Sequence, residues 1–286
     1  MSSNIGKLKK KSPSWFISHT VLWLILFLLV IVYAIPFFWL ISRSLMKSQE
    51  LYAVPTRWWP EELQWDNYYK AVTAFPFLRY LRNTLFIVFM NVLGAVVSNP
   101  LIAYGFAKIR WKGRNVVFML VLMSMMLPFQ VTMIPLFMEF KAFGWIGTFL
   151  PMIVTPFFGN AFFIFLMRQF LMGIPDEMIE AAQIDGASQL QIYFRIVLPL
   201  MKVSITTVGI FAFLNSWNDF IGPLIFLSKD TLYTLSIGIQ QIMSANDPRW
   251  TLIMAIGVLM TLPVLIIFFF MQKYFISGIS MGAVKG

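Results

Sequence analysis

Long apolar runs, separated by shorter polar segments, are the dominant pattern along this chain. An apolar helix of about 20 residues crosses the roughly 30 Å hydrocarbon core of a membrane. The runs therefore predict six membrane-spanning helices, at 21–41, 85–107, 116–138, 150–167, 203–227 and 252–271. Because the runs do not alternate in short segments as barrel strands do, we expect an all-α membrane protein.

The distribution of lysine and arginine predicts the orientation of these spans. Four lysines lie within residues 7–11, and four cations lie within 108–114, the short loop after the second run. Cytoplasmic loops carry the excess of such cations, so we expect both chain ends on the cytoplasmic side. This gives a cytoplasmic segment at 1–20 and a transmembrane domain at 21–286. The first run is too long for a signal peptide, so we expect it to be retained.

Composition excludes several classes of functional site. Apolar residues make up 59% of the chain and charged residues 12%, whereas a soluble domain carries about 25% charge. The chain has no cysteine and one histidine, His19, so neither a Cys-ligated metal site nor a histidine-based triad is expected. The net charge of +10 accompanies apolar runs, which favours cytoplasmic lysines over nucleic-acid binding. No Gly-rich Lys-Ser/Thr nucleotide loop occurs, and we expect no cofactor.

The inner connection at 173–200 is rich in helix signals. Pro175 suits the first helical position, and Asp176 and Glu177 suit the positive N-terminal end of a helix. Gly186 permits a sharp turn before a second helical stretch. An apolar stripe is predicted from Met178, Ile179, Ala182 and Ile184. The pattern predicts a short, partly acidic helix–turn–helix exposed on the cytoplasmic face, where small residues let another protein approach closely.

The same segment matches a known spaced motif: Glu-Ala-Ala, three residues, Gly, nine residues, Ile, one residue, Leu-Pro. Its positions here are Glu180, Ala181, Ala182, Gly186, Ile196, Leu198 and Pro199. This resembles the signature loop of ABC importer permeases. Segments 83–85, 103–107, 127–131, 216–220 and 282–286 also resemble the carbohydrate-uptake subfamily. The chain is most similar to the second, six-span permease of maltose-type transporters, from the second span to the end.

The resemblance implies a type I importer permease with cytoplasmic coupling helices, in a bacterial or archaeal cytoplasmic membrane. Such a subunit forms half of a pore with a second permease. It works with two cytoplasmic ATPase subunits, which hydrolyse the ATP, and with an extracytoplasmic solute-binding protein. The transported solute is a carbohydrate. The coupling residues would be the motif positions together with Asp185. The closing residues Gly282, Ala283, Val284, Lys285 and Gly286 would reach the interface between the ATPase subunits. The tail from Tyr274 to Gly286 contains Gly278, Gly282 and Gly286, which make it too flexible for a stable helix by itself.

Polar residues inside the predicted spans are candidates for the translocation path. Asp219 is the one acid within a span, and such charges usually face a cavity or a partner. Asn218, Trp217 and Gln130 are the other candidates. Alternatively, Asp219 reaches water or a loop cation at the outer end of the span, and Gln130 hydrogen-bonds a neighbouring helix, as expected of Asn91 and Asn99. For Trp217, packing against a neighbouring helix is favoured over stacking on a sugar.

Two other functions compete with the ABC permease. An ion-gradient-driven secondary transporter is the alternative, and it requires several buried ionisable residues where this chain offers only Asp219. An intramembrane enzyme is disfavoured, because the predicted spans contain no histidine, cysteine or acid pair. We therefore expect a transport subunit and not an enzyme.

Overall fold

The computed structural model describes residues 13–244 and 249–283, with side chains described for 19–244 and 249–272. All regular elements in these ranges are helices. The α-helices are α1 Pro13–Ser44, α2 Asp66–Thr73, α3 Phe77–Ala107, α4 Arg114–Ser124, α5 Phe129–Ala142, α6 Leu150–Val154, α7 Ala161–Met172, α8 Asp176–Ile184, α9 Gln189–Ile192, α10 Leu198–Leu200, α11 Lys202–Trp217, α12 Ile221–Phe226, α13 Leu235–Met243 and α14 Trp250–Ala283. Short 3-10 turns at Ser48–Tyr52, Thr155–Phe158 and Asp230–Leu232 and a π-turn at Tyr193–Val197 complete them. The expectation of an all-α chain is confirmed for the described residues.

The chain divides into two compact units. The first contains Met1–Ala71 and Arg249–Val258, and the second contains Val72–Pro248 and Leu259–Gly286. In the first unit, the apolar side chains of α1 from Val21 to Phe38 are exposed, as expected of a helix that faces lipid. The segment after α1 folds back on its C-terminal end, because the Trp58 ring packs on Trp39 at 5.2 Å and the Trp59 ring stacks on Phe38 at 5.7 Å.

The second unit is built around α3, which packs against α6, α7 and α11. Gly94 permits a close approach, since a Cβ there would lie 2.9 Å from the Cβ of Pro156. Polar side chains on the same helix then bond to the neighbouring backbone. Asn91 donates to the Met152 carbonyl at 3.0 Å, and Ser98 donates to the Pro156 carbonyl at 3.0 Å. These bonds hold α3 against a segment whose own helix is interrupted.

Four of the predicted spans have different bounds or continuity in the structure. The run at 116–138 is two helices, α4 and α5, bent by 102°, because proline cannot continue the hydrogen-bond ladder at Pro128. The run at 150–167 is interrupted at Gly159, whose φ is +91°. The run at 203–227 ends as a helix at Trp217 and restarts at Ile221. The second span begins at Phe77, earlier than the predicted 85.

The tail was expected not to form a stable helix by itself, and in the structure residues 274–283 are helical as the continuation of α14. Glycine costs about 1 kcal/mol in a helix, and extending an existing helix is far easier than nucleating one. Gly278 and Gly282 are therefore tolerated. Val284, Lys285 and Gly286 lie outside the described residues.

Four described helical segments are long and apolar enough to cross a membrane: His19–Ser44, Phe77–Ala107, Trp250–Gln272, and Leu150–Met172, which includes the interruption at Gly159. Two bent pairs raise the number to six if each pair counts as one span: α4 with α5, and Gln189–Leu200 with α11. The number of six and the orientation remain predictions.

Asn99 is expected to be the side chain on α3 that matters most for stability. It is fully buried, its amide donates to the Ala95 carbonyl at 2.8 Å, and its Oδ1 accepts the Asn160 backbone N–H at 2.7 Å. In Asn99→Leu that N–H loses its partner, at a cost of about 1–3 kcal/mol. We expect the melting temperature of the purified transporter to fall by several degrees, with no change for Val97→Leu on the exposed side of α3. Equal melting temperatures would show that the Asn99 bond contributes nothing.

Candidate functional site

The segment from 173 to 200 forms the helix–turn–helix that the sequence predicts. Gly186 lies between α8 and α9 with a φ of +81°, a backbone conformation that residues with a side chain rarely adopt. Ser188 caps α9, because its Oγ accepts the Gln191 N–H at 3.3 Å while the Gln191 side chain accepts the Ser188 N–H at 2.8 Å. Pro175 is the residue before α8 and not its first helical residue, which is a small correction.

The apolar stripe predicted for α8 is only partly correct. Ile179 is buried with Ile192, Tyr193 and Val197, and Ala182 packs against the same cluster. Met178 and Ile184 instead face outward, with Ile184 86% exposed. The inward side of the helix–turn–helix is thus packed against the rest of the second unit, and its outward side retains exposed apolar groups.

Lys108 and Tyr104, from the end of α3, hold the two ends of this motif. The buried Lys108 Nζ donates to the Ile174 carbonyl at 2.6 Å and to Asp176 Oδ1 at 2.5 Å. The Tyr104 hydroxyl donates to Gln189 Oε1 at 2.8 Å. The hydrogen bond and charge of Lys108 hold the pKa of Asp176 below its usual range. From the sequence, Lys108 was interpreted only as a cytoplasmic cation, and its contact with Asp176 was not predicted. Tyr104 lies in segment 103–107, which carries the family resemblance, but its bond to Gln189 was not predicted either.

The motif positions fall on both sides of the helix–turn–helix. The residues that are exposed are Glu180, Ala181, Asp185, Gly186 and Pro199, and those that are half-buried are Ala182, Ile196 and Leu198. A Cβ added at Gly186 would meet nothing within 4 Å. The acidic α8 and its turn therefore present an open surface, which we call the coupling surface and define by Glu180, Ala181, Asp185 and Gly186.

A cavity of about 780 Å³ lies within the second unit. Three helix interruptions meet at its walls: the start of α5 at Phe129, the break at Gly159, and the break at Asn218 and Asp219. Irregular backbone at membrane depth is tolerated where it is buried in protein or lines a cavity. The structure thus brings Gln130, Asn218 and Asp219, three of the four predicted path residues, to one space.

Trp217 is not part of this lining. Its side chain is 2% exposed, its Nε1 donates to the Met260 carbonyl at 3.1 Å, and its ring stacks on Phe213 at 5.7 Å. The tryptophan therefore packs between helices. Asn160 and Asn215 are polar lining residues that the sequence analysis did not name. For Asn215 the available signal was its spacing of three and four residues from Asn218 and Asp219, although the helix ends at Trp217.

The backbone of the break holds the Asp219 carboxylate. Its Oδ1 accepts the Gly222 N–H at 3.0 Å, and its own carbonyl accepts the Ser236 hydroxyl at 2.8 Å. A Cβ at position 222 would collide with this carboxylate. None of the ion pairs within the described residues involves Asp219, so the alternative of a loop cation is not what the structure shows.

Comparisons with known proteins identify the family and the fold. The family model described as "Binding-protein-dependent transport system inner membrane component" matches residues 92–281. The chain belongs to this family. An arabinooligosaccharides transport system permease protein of Bacillus subtilis is 34% identical over 284 residues, covering 97% of this chain and 99% of the relative. A lactose transport system permease protein of Rhizobium radiobacter is 34% identical over 203 residues, covering 71% of this chain and 74% of the relative.

A solved structure supports the fold. The crystal structure of a bacterial ABC transporter involved in the import of the acidic polysaccharide alginate matches with a TM-score of 0.80 and 23% identity. The match covers 93% of this chain and 99% of that one. This binding-protein-dependent permease is therefore a subunit of an ABC importer in the cytoplasmic membrane and a transport component, not an enzyme. Its family implies ATPase, substrate-binding and second permease partners, and nothing in these relatives supports an ion-driven transporter.

Proposed function

We propose that this permease forms half of a translocation pore for a sugar or oligosaccharide. The relatives named for arabinooligosaccharide and lactose transport support the solute class. The cavity supports the path, because three broken helices place Gln130, Asn218 and Asp219 around one space. A second, different permease completes the pore, and an extracytoplasmic binding protein delivers the solute.

The proposed orientation has both chain ends in the cytoplasm. Segments assigned to the inner side meet at one end of the second unit, where Lys108 contacts Asp176 and Arg168 donates to the Phe106 carbonyl at 3.3 Å. Segments assigned to the outer side also meet one another. There, the Gly147 N–H donates to the Phe226 carbonyl at 2.8 Å, and Asn83 donates to the Thr231 carbonyl at 3.0 Å.

The coupling surface is the proposed contact with one of two ATPase subunits. The acids at 176–177 and Glu180 argue against adhesion to lipid, since interfacial helices favour Lys and Arg on the polar face. The partner cleft would therefore be basic or polar where it meets Glu180. The closing residues Gly282–Gly286, with Lys285 near an acidic or polar group, are proposed to dock between the ATPase subunits.

Crosslinking from Glu180 tests this function. The native chain has no cysteine, so Glu180→Cys introduces a single thiol on the exposed side of α8. We expect a disulfide with cysteines placed in the ATPase cleft of the assembled transporter. The matched control is Lys229→Cys, equally exposed in a segment assigned to the outer side, which should give none. Crosslinks from position 180 to lipid probes alone, across several cleft positions, would refute the coupling role.

A further inference from the structure

A second cavity, of about 280 Å³, lies in the loop that joins α3 to α4. Its lining consists of Arg110, Trp111 and residues 113–116, which are the glycine before α4 and the first turn of that helix. The loop is assigned to the cytoplasmic side, so the cavity lies where an apolar helix meets the membrane surface. Its volume is close to the lower end of the range for small-molecule sites, about 300 Å³, which suits a head group better than a whole solute.

The walls of this cavity are held in place by hydrogen bonds within the loop. The Trp111 Nε1 donates to the Gly105 carbonyl at 3.1 Å, and the Trp111 ring packs on Phe106 with ring centroids 5.8 Å apart. The Arg114 Nη1 donates to the Ile109 carbonyl at 3.2 Å. The loop therefore forms the cavity by its own contacts and does not depend on a ligand for its shape.

The arginines at the cavity have no acid of their own. Within the described residues the Arg110 side chain has no hydrogen bond or ion pair, and the bonds of Arg114 use Nη1 alone. The nearby Asp176 carboxylate is already bonded to Lys108, whose hydrogen bond and charge lower the pKa of Asp176 more than the two arginines do. A guanidinium presents its donors as a fork that fits two phosphate oxygens. The positive end of α4, which no side chain caps, opens on the same cavity.

The apolar surface that continues from the cavity indicates the source of the anion. Val116 lines the cavity, and exposed apolar side chains follow it along α4: Val117, Met119, Leu120 and Met123. A phospholipid carries its phosphate directly above its acyl chains, so one molecule contacts the arginines and the exposed side of α4 together. Free phosphate or a nucleotide would gain nothing from that apolar side. The exposed Trp111 is at the same level, as is typical of tryptophan at a membrane interface.

We propose that this cavity binds the head group of an anionic phospholipid of the cytoplasmic leaflet, with Arg110 and Arg114 as the contacts to its phosphate. Basic pockets at the cytoplasmic ends of membrane helices bind such head groups in other proteins. Phosphatidylcholine is disfavoured, because its quaternary amine would lie among cations that lack a free acid. The inference does not depend on the transported solute. It uses the proposed orientation, which the Glu180→Cys crosslink tests separately.

Native mass spectrometry of the purified, fully assembled transporter in detergent tests the proposal by counting bound lipids. The probes are phosphatidylglycerol and phosphatidylcholine with identical acyl chains, and glycerol 3-phosphate as a soluble head group. We expect phosphatidylglycerol to bind about ten-fold more tightly than phosphatidylcholine, as charge-assisted hydrogen bonds to phosphate allow. Arg110→Gln should abolish that preference without disturbing the loop, since Arg110 makes no bond within it.

Two further variants separate a built site from general surface charge. Lys112→Gln removes the same charge from the same loop but lies outside the cavity lining, so it should preserve the preference. Arg110→Lys preserves the charge but not the fork, so it should retain only part of the preference. Equal binding of the two lipids, or equal losses in Arg110→Gln and Lys112→Gln, would overturn the proposal.

The same measurement identifies two other occupants. Competition by glycerol 3-phosphate as strong as that by phosphatidylglycerol would make the cavity a site for soluble anions, and the lipid assignment would be wrong. Loss of the ATPase subunits from the Arg110→Gln complex, with unchanged lipid binding, would assign the loop to the ATPase contact and likewise refute the lipid site.

Discussion

Gly186→Asp is expected to leave the permease inserted and assembled while solute-stimulated ATPase activity and uptake fall by about ten-fold or more, within the usual range of coupling energies. Within the chain the change is mild. The φ of +81° costs a non-glycine residue about 1–2 kcal/mol, less for aspartate, and the new Cβ meets nothing within 4 Å. A large functional loss must therefore come from the partner that occupies the open space, where added bulk and charge prevent a close approach.

Two further variants serve as controls for that prediction. Gly144→Asp is the matched control, because Gly144 also has a positive φ, +70°, with open space around its Cβ, but lies in a turn assigned to the outer side. It should retain normal coupling. Gly186→Asn adds bulk without charge and tolerates positive φ, so its loss measures the steric part alone. Full uptake and stimulation in Gly186→Asp, or an equal loss in Gly144→Asp, would remove the coupling role from this turn.

The long helices were predictable because their sequence signal is composition itself. A run without charges must be helical in lipid, where every backbone group needs an internal partner, and α1 and α14 follow that rule. Hydropathy does not report where a helix is interrupted. The break at Asp219 carries no proline of its own, whereas Pro128 and the segment 156–159, with its proline and glycine, carried local signals. The Asn99 bond to the Asn160 backbone then fixes the break at Gly159 from a distant segment.

In the candidate sites, too, some features are encoded by neighbouring residues and others depend on contacts between distant segments. The helix–turn–helix could be found from local signals, since its cap at Ser188 and its turn at Gly186 are encoded within a few residues. Its attachment could not, because the Lys108–Asp176 contact joins residues 68 positions apart. The cavity likewise needed the fold: Gln130, Asn218 and Asp219 were named one by one, but only the meeting of three helix breaks makes them neighbours and adds Asn215.

Lys108→Met is expected to weaken coupling without preventing assembly, with a fall of about five-fold or more in stimulated ATPase activity and uptake. The reason is mechanical. Lys108 fixes the start of α8 to the end of α3 through the Ile174 carbonyl and the Asp176 carboxylate, so movement of α8 is transmitted to the long span. Methionine preserves the buried stem but removes both donated bonds, so the start of α8 loses its hydrogen-bonded link to α3, while the Tyr104 bond to Gln189 remains. Lys112→Met removes an exposed cation of the same loop and should have little effect.

The pH dependence gives an independent check on the Lys108 contact. Because Lys108 lowers the pKa of Asp176 below the reference value of 3.8, the pair contributes stability above that reference, and the contribution is lost as pH falls through the lowered folded value. Coupling through this contact should therefore be flat from about pH 5 to 8. Asp176→Asn keeps an acceptor and the Ile174 bond, so its defect should be smaller than that of Lys108→Met. A defect in Asp176→Asn as large as in Lys108→Met would assign the link to charge alone, and normal coupling in Lys108→Met would show that the motif needs no anchor on α3.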